Sequence, residues 1–202
     1  MCRFVESIQL NDGVFKRLEL HHKRVRKAML DYYPKVKVFN LIKSLSRTTF
    51  PTEGLYKCRV VYDSEIRKIE YTPYIRREIR SLRLVETKME SIQYKKEDRS
   101  RLNAAFALRD DCDEVLLVKN GLLTDTSFTN IALFDGLNWY TPRIPLIYGV
   151  NRTELVEKRL LIEKDIPPSE LEEYQRISLF NAMNEFGSIE LDISSIQINI
   201  IE

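Results

Sequence analysis

The chain has 202 residues, 44% of them hydrophobic and 31% charged, which are the proportions of a folded globular protein rather than a disordered one. Its 32 basic and 30 acidic residues leave a net charge of +2, which gives neither nucleic acid nor a membrane surface an electrostatic hold. No apolar stretch approaches the roughly 18 residues of a membrane span, the N-terminus lacks the apolar core of a signal peptide, and the three scattered cysteines (Cys2, Cys58, Cys112) form no Cys-x-x-Cys pair, so a cytoplasmic chain with neither a disulfide framework nor a metal site is expected.

In chain order, Phe4 to Leu10 alternates as a strand does, Asn11-Asp12-Gly13 signals a turn, and Val14-Phe15 resumes the extended pattern. From Leu18 to Tyr32 the period becomes helical, with Leu18, His21, Val25 and Met29 on one stripe, and the basic run Lys16 to Lys27 reads as its solvated face. Val36 to Ser46 is a second helical candidate, and Leu55 to Tyr62 and Ile66 to Tyr71 read as strands joined across Asp63-Ser64-Glu65. Charged, weakly patterned sequence from Arg76 to Glu90 suggests a linker or crossover.

A second unit opens with Ile92 and Tyr94 ending a strand, followed by a helix over Glu97 to Leu108 through Leu102, Ala105 and Phe106. Val115 to Val118 turns at Asn120-Gly121 into Leu122 to Thr124, and Asn130 to Phe134 turns at Asp135-Gly136 into Asn138 to Tyr140. After Pro142 and Pro145, Gly149 precedes an amphipathic helix over Asn151 to Leu161, and Pro167-Pro168-Ser169 starts a short helix capped by Ser169. Arg176 to Ala182 and Gly187 to Ile193 close the chain in mostly extended sequence.

Four groups along this path could carry chemistry. Lys95 reads either as a solvated lysine beside Lys96 or as an amine turned into a cleft, where burial and neighbouring cations lower its pKa toward that of a nucleophile. Asp125 either makes a turn with Thr126 or Ser127 or offers a carboxylate that keeps a ring nitrogen protonated. Gly149-Val150-Asn151 opens a helix whose first N–H groups suit an anion, with Asn151 as cap or amide donor. Arg24 is either a surface arginine or a fixed cation for the same anion.

These elements fall in an order that resembles the class IV (fold-type IV) aminotransferase and lyase family, which uses pyridoxal 5'-phosphate (PLP). The run Leu18 to Arg24 resembles its His-x-x-Arg helix, and Tyr94-Lys95-Lys96-Glu97-Asp98-Arg99 its segment opening with the imine-forming lysine, where the spacing to Asp98 and Arg99 selects Lys95. Asp113 to Val118 followed by Gly121 to Ile131 is similar to its long signature, with Asp125 where a glutamate is usual. Tyr140-Thr141-Pro142, Gly149-Val150-Asn151-Arg152 and Leu179 to Met183 resemble its phosphate-site elements.

The resemblance implies an α+β, two-domain fold similar to D-amino acid aminotransferase, with a small N-terminal α/β sandwich over residues 1–88 carrying Arg24 and a C-terminal β-barrel-like PLP-binding domain over 89–202 carrying Lys95 and Asp125. It implies Lys95 as the catalytic residue, and Arg24, Lys95, Asp125, Val150, Asn151 and Asn181 as cofactor-binding residues, with no metal. A homodimer acting on a small-molecule amine follows from the same likeness.

Three departures stand out: the chain begins almost at Phe4-Val5-Glu6-Ser7, the element resembling Phe-Glu-Thr; Asp125 is one methylene shorter than glutamate; and Asn151 stands where threonine is common. The short chain and Gly-Val-Asn favour a 4-amino-4-deoxychorismate lyase, with a branched-chain or D-amino acid transaminase as the alternative. The dipeptide Met1-Cys2 raises a remote second alternative, an N-terminal cysteine hydrolase. Tyr71, Tyr74 and Tyr148 are candidate pocket or interface aromatics, and Arg59, Arg76, Arg77, Arg99 and Arg143 candidate carboxylate binders.

Overall fold

The computed structural model describes residues 2–201, so the Met1 of the Met1-Cys2 pair lies outside the described residues. The chain folds into two compact units, Met1–Arg76 with Tyr94–Asp98 and Arg77–Gln93 with Arg99–Glu202. A single boundary after residue 88 would leave Lys95 in the second unit, whereas the Lys95 segment is part of the first.

The first unit is an antiparallel sheet with helices. Strands β1 (Phe4–Asn11), β2 (Val14–Phe15), β3 (Leu55–Tyr62) and β4 (Ile66–Pro73) stand in the order β2-β1-β3-β4. The β1–β2 turn has positive φ at both Asp12 and Gly13, as a tight hairpin demands, which is why Asp-Gly occupies it. Helix α1 (Leu18–Tyr32) packs Val25, Ala28 and Met29 on Phe4 and Ile8 of β1. The second helix, α2 (Leu41–Leu45), is much shorter than the Val36–Ser46 pattern suggests. It starts where the Asn40 side chain accepts from Lys43 N at 2.9 Å, and Asn40 itself is extended. Tyr71, a candidate pocket aromatic, instead packs on this unit's core and bonds Thr48.

β3 occupies one edge of β1 along its whole length. At the Phe4 end the other edge is taken by the Lys95 segment: Val5 N donates to Lys95 O at 2.8 Å and Glu97 N to Arg3 O at 2.9 Å, around an antiparallel bridge between Phe4 and Lys96. Lys96 is therefore a bridge residue, and the helix expected from Glu97 begins only at Ser100.

The second unit contains β5 (Leu82–Glu86), α3 (Ser100–Ala107), β6 (Glu114–Lys119), β7 (Leu122–Thr126), β8 (Asn130–Phe134), β9 (Trp139–Pro142), α4 (Val150–Glu157), β10 (Ile162–Lys164), β11 (Arg176–Phe180), β12 (Glu190–Asp192) and β13 (Ile196–Ile201). The main path is β10-β9-β8-β7-β6-β5-β13, with β11 bridging β8 to β12. The expected linker contains β5, a strand paired in parallel with both β6 and β13. Its flanking charges hid a short strand whose Leu82, Leu84 and Val85 are fully buried. The apolar run of β6 is buried on both faces: Leu116 and Val118 join one core cluster, while Val115 and Leu117 join another with Leu102 and Ala105 of α3. Pro167, not Ser169, is the N-cap of the short 3-10 helix Pro168–Glu173, and no side chain caps it. Among the described residues, no helix is long and apolar enough to cross a membrane.

Candidate active site

The first unit holds one set of candidate groups. Strand alternation sends Phe4, Glu6 and Ile8 toward α1 and Ser7 to the opposite face. Glu6 is thus a carboxylate on an apolar stripe, and it is fully buried. From α1, Arg24 donates through Nε to Glu6 Oε1 at 2.9 Å and through Nη2 to Oε2 at 2.6 Å. His21, three residues before Arg24 and on the same helix face, places Nδ1 2.5 Å from Oε2. Burial alone would raise the Glu6 pKa, but Arg24 and His21 together outweigh it and hold the carboxyl at about 2. Burial also keeps His21 below its ordinary value. The imidazole is therefore neutral at pH 7 with its proton on Nδ1, since an ionised carboxylate can only accept, and Nε2 is buried without a partner.

Lys95 is half-buried, and its Nζ lies 3.2 Å from Ser7 Oγ. The backbone bonds of the 95–97 segment to β1 fix its Cα, and the Ser7 hydroxyl steadies its amine. Lys95 and Arg24 therefore share one unit, and Arg24, expected as the phosphate cation, commits two of its nitrogens to Glu6. Arg59, a candidate carboxylate binder, pairs with Glu70 at 3.2 Å and Glu97 at 3.0 Å.

The second unit holds the other set. Asp125, at the end of β7, is buried and sits opposite Asn130, the first residue of β8. Its Oδ1 accepts from Asn130 Nδ2 at 2.8 Å and its Oδ2 from Ile147 N at 2.8 Å, rather than from Thr126 or Ser127. Burial outweighs these bonds and pushes the carboxyl up to about 7. A buried acid with no ion pair among the described residues is stabilised in its charged form by any cation brought to it.

Asn130 in turn donates to Ile147 O at 2.8 Å, and its amide oxygen lies so near Gly149 that a Cβ there would stand 2.1 Å from it. Gly149 has an ordinary φ of −69°, so glycine is required here by space and not by backbone freedom. It is the N-cap of α4, whose first-turn N–H groups at Val150 and Asn151 have no intrahelical acceptor. The Asn151 side chain does not turn to this spot. Its Nδ2 donates to Asn181 O at 2.8 Å and Asn184 O at 3.4 Å, leaving Oδ1 buried without a donor. The Asn181 side chain is committed too, donating to Phe128 O at 3.0 Å and accepting from Met183 N and Asn184 N. Of the groups expected to bind an anion here, the backbone N–H groups of Val150 and Asn151 remain suited to one.

Sequence reasoning missed Ser7, Glu6 and the steric role of Gly149. A signal for Glu6 was present: an acid at an inward position of Phe4-Val5-Glu6-Ser7-Ile8, with His21 and Arg24 three apart on the next helix, already implies a buried ion pair. Ser7 became visible only through the pairing of β1 with residues 95–97.

A family model described as class IV amino-transferase matches residues 3–190. An uncharacterized protein of Haemophilus influenzae is 33% identical over 186 residues, 91% of this chain and 99% of that one. A solved structure from Haemophilus somnus, of a protein proposed to be a 4-amino-4-deoxychorismate lyase, is 30% identical with a TM-score of 0.84, covering 92% of this chain and 98% of its own. At 19% identity, a proposed amino-acid aminotransferase from Mesorhizobium loti shares the fold, with a TM-score of 0.72 over 98% of this chain and 100% of that one.

Proposed function

The chain belongs to the class IV amino-transferase family, and on that premise we propose that it is a 4-amino-4-deoxychorismate lyase that releases pyruvate and 4-aminobenzoate, with Lys95 as its catalytic amine. The family is PLP-dependent, so the chain is a PLP enzyme. The chemistry of the donor set fits that cofactor: an amine for its aldehyde, a buried carboxyl for its ring nitrogen, and helix N–H groups for its phosphate. The observation that supports cofactor binding is Asp125, a buried carboxyl aimed by Asn130 Nδ2 and the Ile147 N–H, whose charged form a protonated pyridine nitrogen would stabilise.

When bound, PLP supplies a conjugated ring that accepts the electrons left when a bond to the amine-bearing carbon breaks. The protein's part is to place charges and protons around that event. Asn130 Nδ2 and the Ile147 N–H aim the Asp125 carboxylate, which would keep the ring nitrogen protonated. The N–H groups of Val150 and Asn151, at the positive end of α4, would hold the phosphate. Arg24, with its orientation fixed by Glu6, is the cation the family likeness would assign to the same phosphate. Lys95, held near Ser7 Oγ, would be the group that accepts the proton of the amine-bearing carbon on Nζ and returns it to the departing pyruvate unit. Aromatisation of the remaining ring to 4-aminobenzoate supplies driving force.

The choice of lyase rests on the likeness to the Haemophilus somnus protein over nearly the full length of both chains. Purified protein mixed with PLP and aminodeoxychorismate should generate 4-aminobenzoate fluorescence without any added oxo acid. Amino transfer to 2-oxoglutarate with no aromatic product would instead identify a transaminase. The same reading places the protein in the cytoplasm as a homodimer, in keeping with three free cysteines.

A further inference from the structure

We propose that Glu114 is a positioning residue for Asp125, acting with Arg99 by clamping the backbone of Ser127. The inference rests on the assignment of Asp125 to the cofactor's ring nitrogen and asks what holds that carboxyl in place. The β6–β7 ladder is irregular between Leu116 and Val118 and resumes at Leu116 opposite Thr126, beyond which no backbone pair of the ladder continues toward Glu114. At that point side chains take over. Glu114, fully buried at the start of β6, accepts through Oε1 from its neighbour Val115 N at 2.9 Å and from Ser127 N at 3.2 Å. Arg99 Nη2 donates to Ser127 O at 2.8 Å. Both backbone groups of Ser127 are thus held by side chains from two other elements.

The rest of the turn is secured in the same manner. Thr126 Oγ1 accepts from Thr129 N at 3.0 Å and from Phe128 N at 3.3 Å, and Asn181 Nδ2 donates to Phe128 O at 3.0 Å. Asp125 and Asn130 form the stem of this turn. Their 2.8 Å bond persists only while the four residues between them keep one conformation. A turn resting on its own threonines alone would have two of its backbone groups, the N–H and C=O of Ser127, buried without partners, an arrangement that favours other conformations. Glu114 and Arg99 remove that freedom, and they do so two residues from the carboxyl they serve. Burial raises the Glu114 pKa, while the two N–H groups and the nearby Arg77 oppose the rise.

The test measures PLP affinity and the pH at which the visible band of bound PLP titrates, in wild type, E114A, E114Q, R99M and D125N. E114A and R99M should each weaken PLP binding about tenfold and shift the titration of the band in the same direction as D125N. E114Q, which keeps an oxygen for Ser127 N, should restore affinity to within about threefold of wild type. R99M carries the test if E114A does not fold. The inference is overturned if E114A and R99M lower the melting temperature while leaving affinity and band titration at wild-type values, or if E114Q is as impaired as E114A. If D125N itself changes neither readout, the Asp125 assignment fails and this inference with it. A D125N effect without any E114A or R99M effect removes only the clamp.

Discussion

Replacing Gly149 with alanine isolates the closest contact in the second unit. An ideal Cβ at this position stands 2.1 Å from Asn130 Oδ1 and 3.3 Å from its Cγ, so the amide must retreat by nearly 1 Å to reach the 3.0 Å below which real Cβ atoms are essentially never found. It cannot retreat freely, because Nδ2 on the same amide is tied to Asp125 Oδ1 and Ile147 O, both at 2.8 Å. Overpacking costs roughly 1–3 kcal/mol, and loosening two buried bonds, one of them to a carboxyl, adds about 2 kcal/mol. The φ of −69° suits alanine, so no backbone strain enters. The expected loss is about 3–5 kcal/mol. Trp139 is the chain's single tryptophan and lies in this unit, so its fluorescence in a urea titration of cofactor-free protein reports the transition. The double-mutant cycle with Asn130→Ala is decisive. Removing the amide removes the obstruction, so G149A/N130A should be as stable as N130A to within about 1 kcal/mol. Additive losses, or a G149A loss below about 1 kcal/mol, would refute the steric account.

Three further outcomes follow from the two sets of groups. Burial raises Asp125 from 3.8 to about 7, so the folded protein keeps a proton there that the unfolded chain has lost, and this contribution, full below pH 3.8, disappears as pH rises to about 7. In cofactor-free protein, D125N should gain on wild type by up to ~4 kcal/mol between pH 4 and pH 8, and a flat difference between their denaturation profiles would contradict this. Glu6 has the opposite sign: its pKa is lowered from 4.5 to about 2, so its contribution is present above pH 4.5 and is lost as pH falls toward 2. E6Q leaves the Arg24 charge buried without its carboxylate and should cost about 3 kcal/mol at pH 7 by thermal or urea denaturation, with a shallower acid limb than wild type; an unchanged midpoint counts against the buried pair. Finally, K95A mixed with PLP should lose the visible band of the wild-type complex and all turnover, and retention of the band at its wild-type wavelength would exclude Lys95 as the amine.

Most of the fold could be read from the sequence where local chemistry decides it. Asp12-Gly13 and Asn120-Gly121 adopt the positive φ pairs their hairpins require, and the period of α1 runs over the residues its stripe predicts. What escaped was structure set at long range. β5 is a strand because β6 and β13 flank it, not because its own sequence alternates cleanly between charges. The backbone of Lys95 and Glu97 bonds the free edge at Arg3 and Val5, which overrides the helical spacing that begins at Glu97. The candidate site followed the same division. Lys95, Asp125 and the start of α4 were recognisable as chemical types, but the side chains of Asn151 and Asn181 look like donors to a ligand until their backbone carbonyl and N–H partners, about 30 residues away or next door, are seen.

The five residues Tyr94–Asp98 are embedded in sequence that otherwise builds the second unit, yet they complete the first. No single cut in the gene can therefore yield both halves intact. A fragment ending near residue 88 lacks the strip that covers the Phe4 end of β1, and its complement carries Lys95 without the strand that aligns it. The backbone around Lys95 is set by Arg3 and Val5, far away in sequence, so its conformation depends on long-range pairing rather than on any locally autonomous piece of the chain.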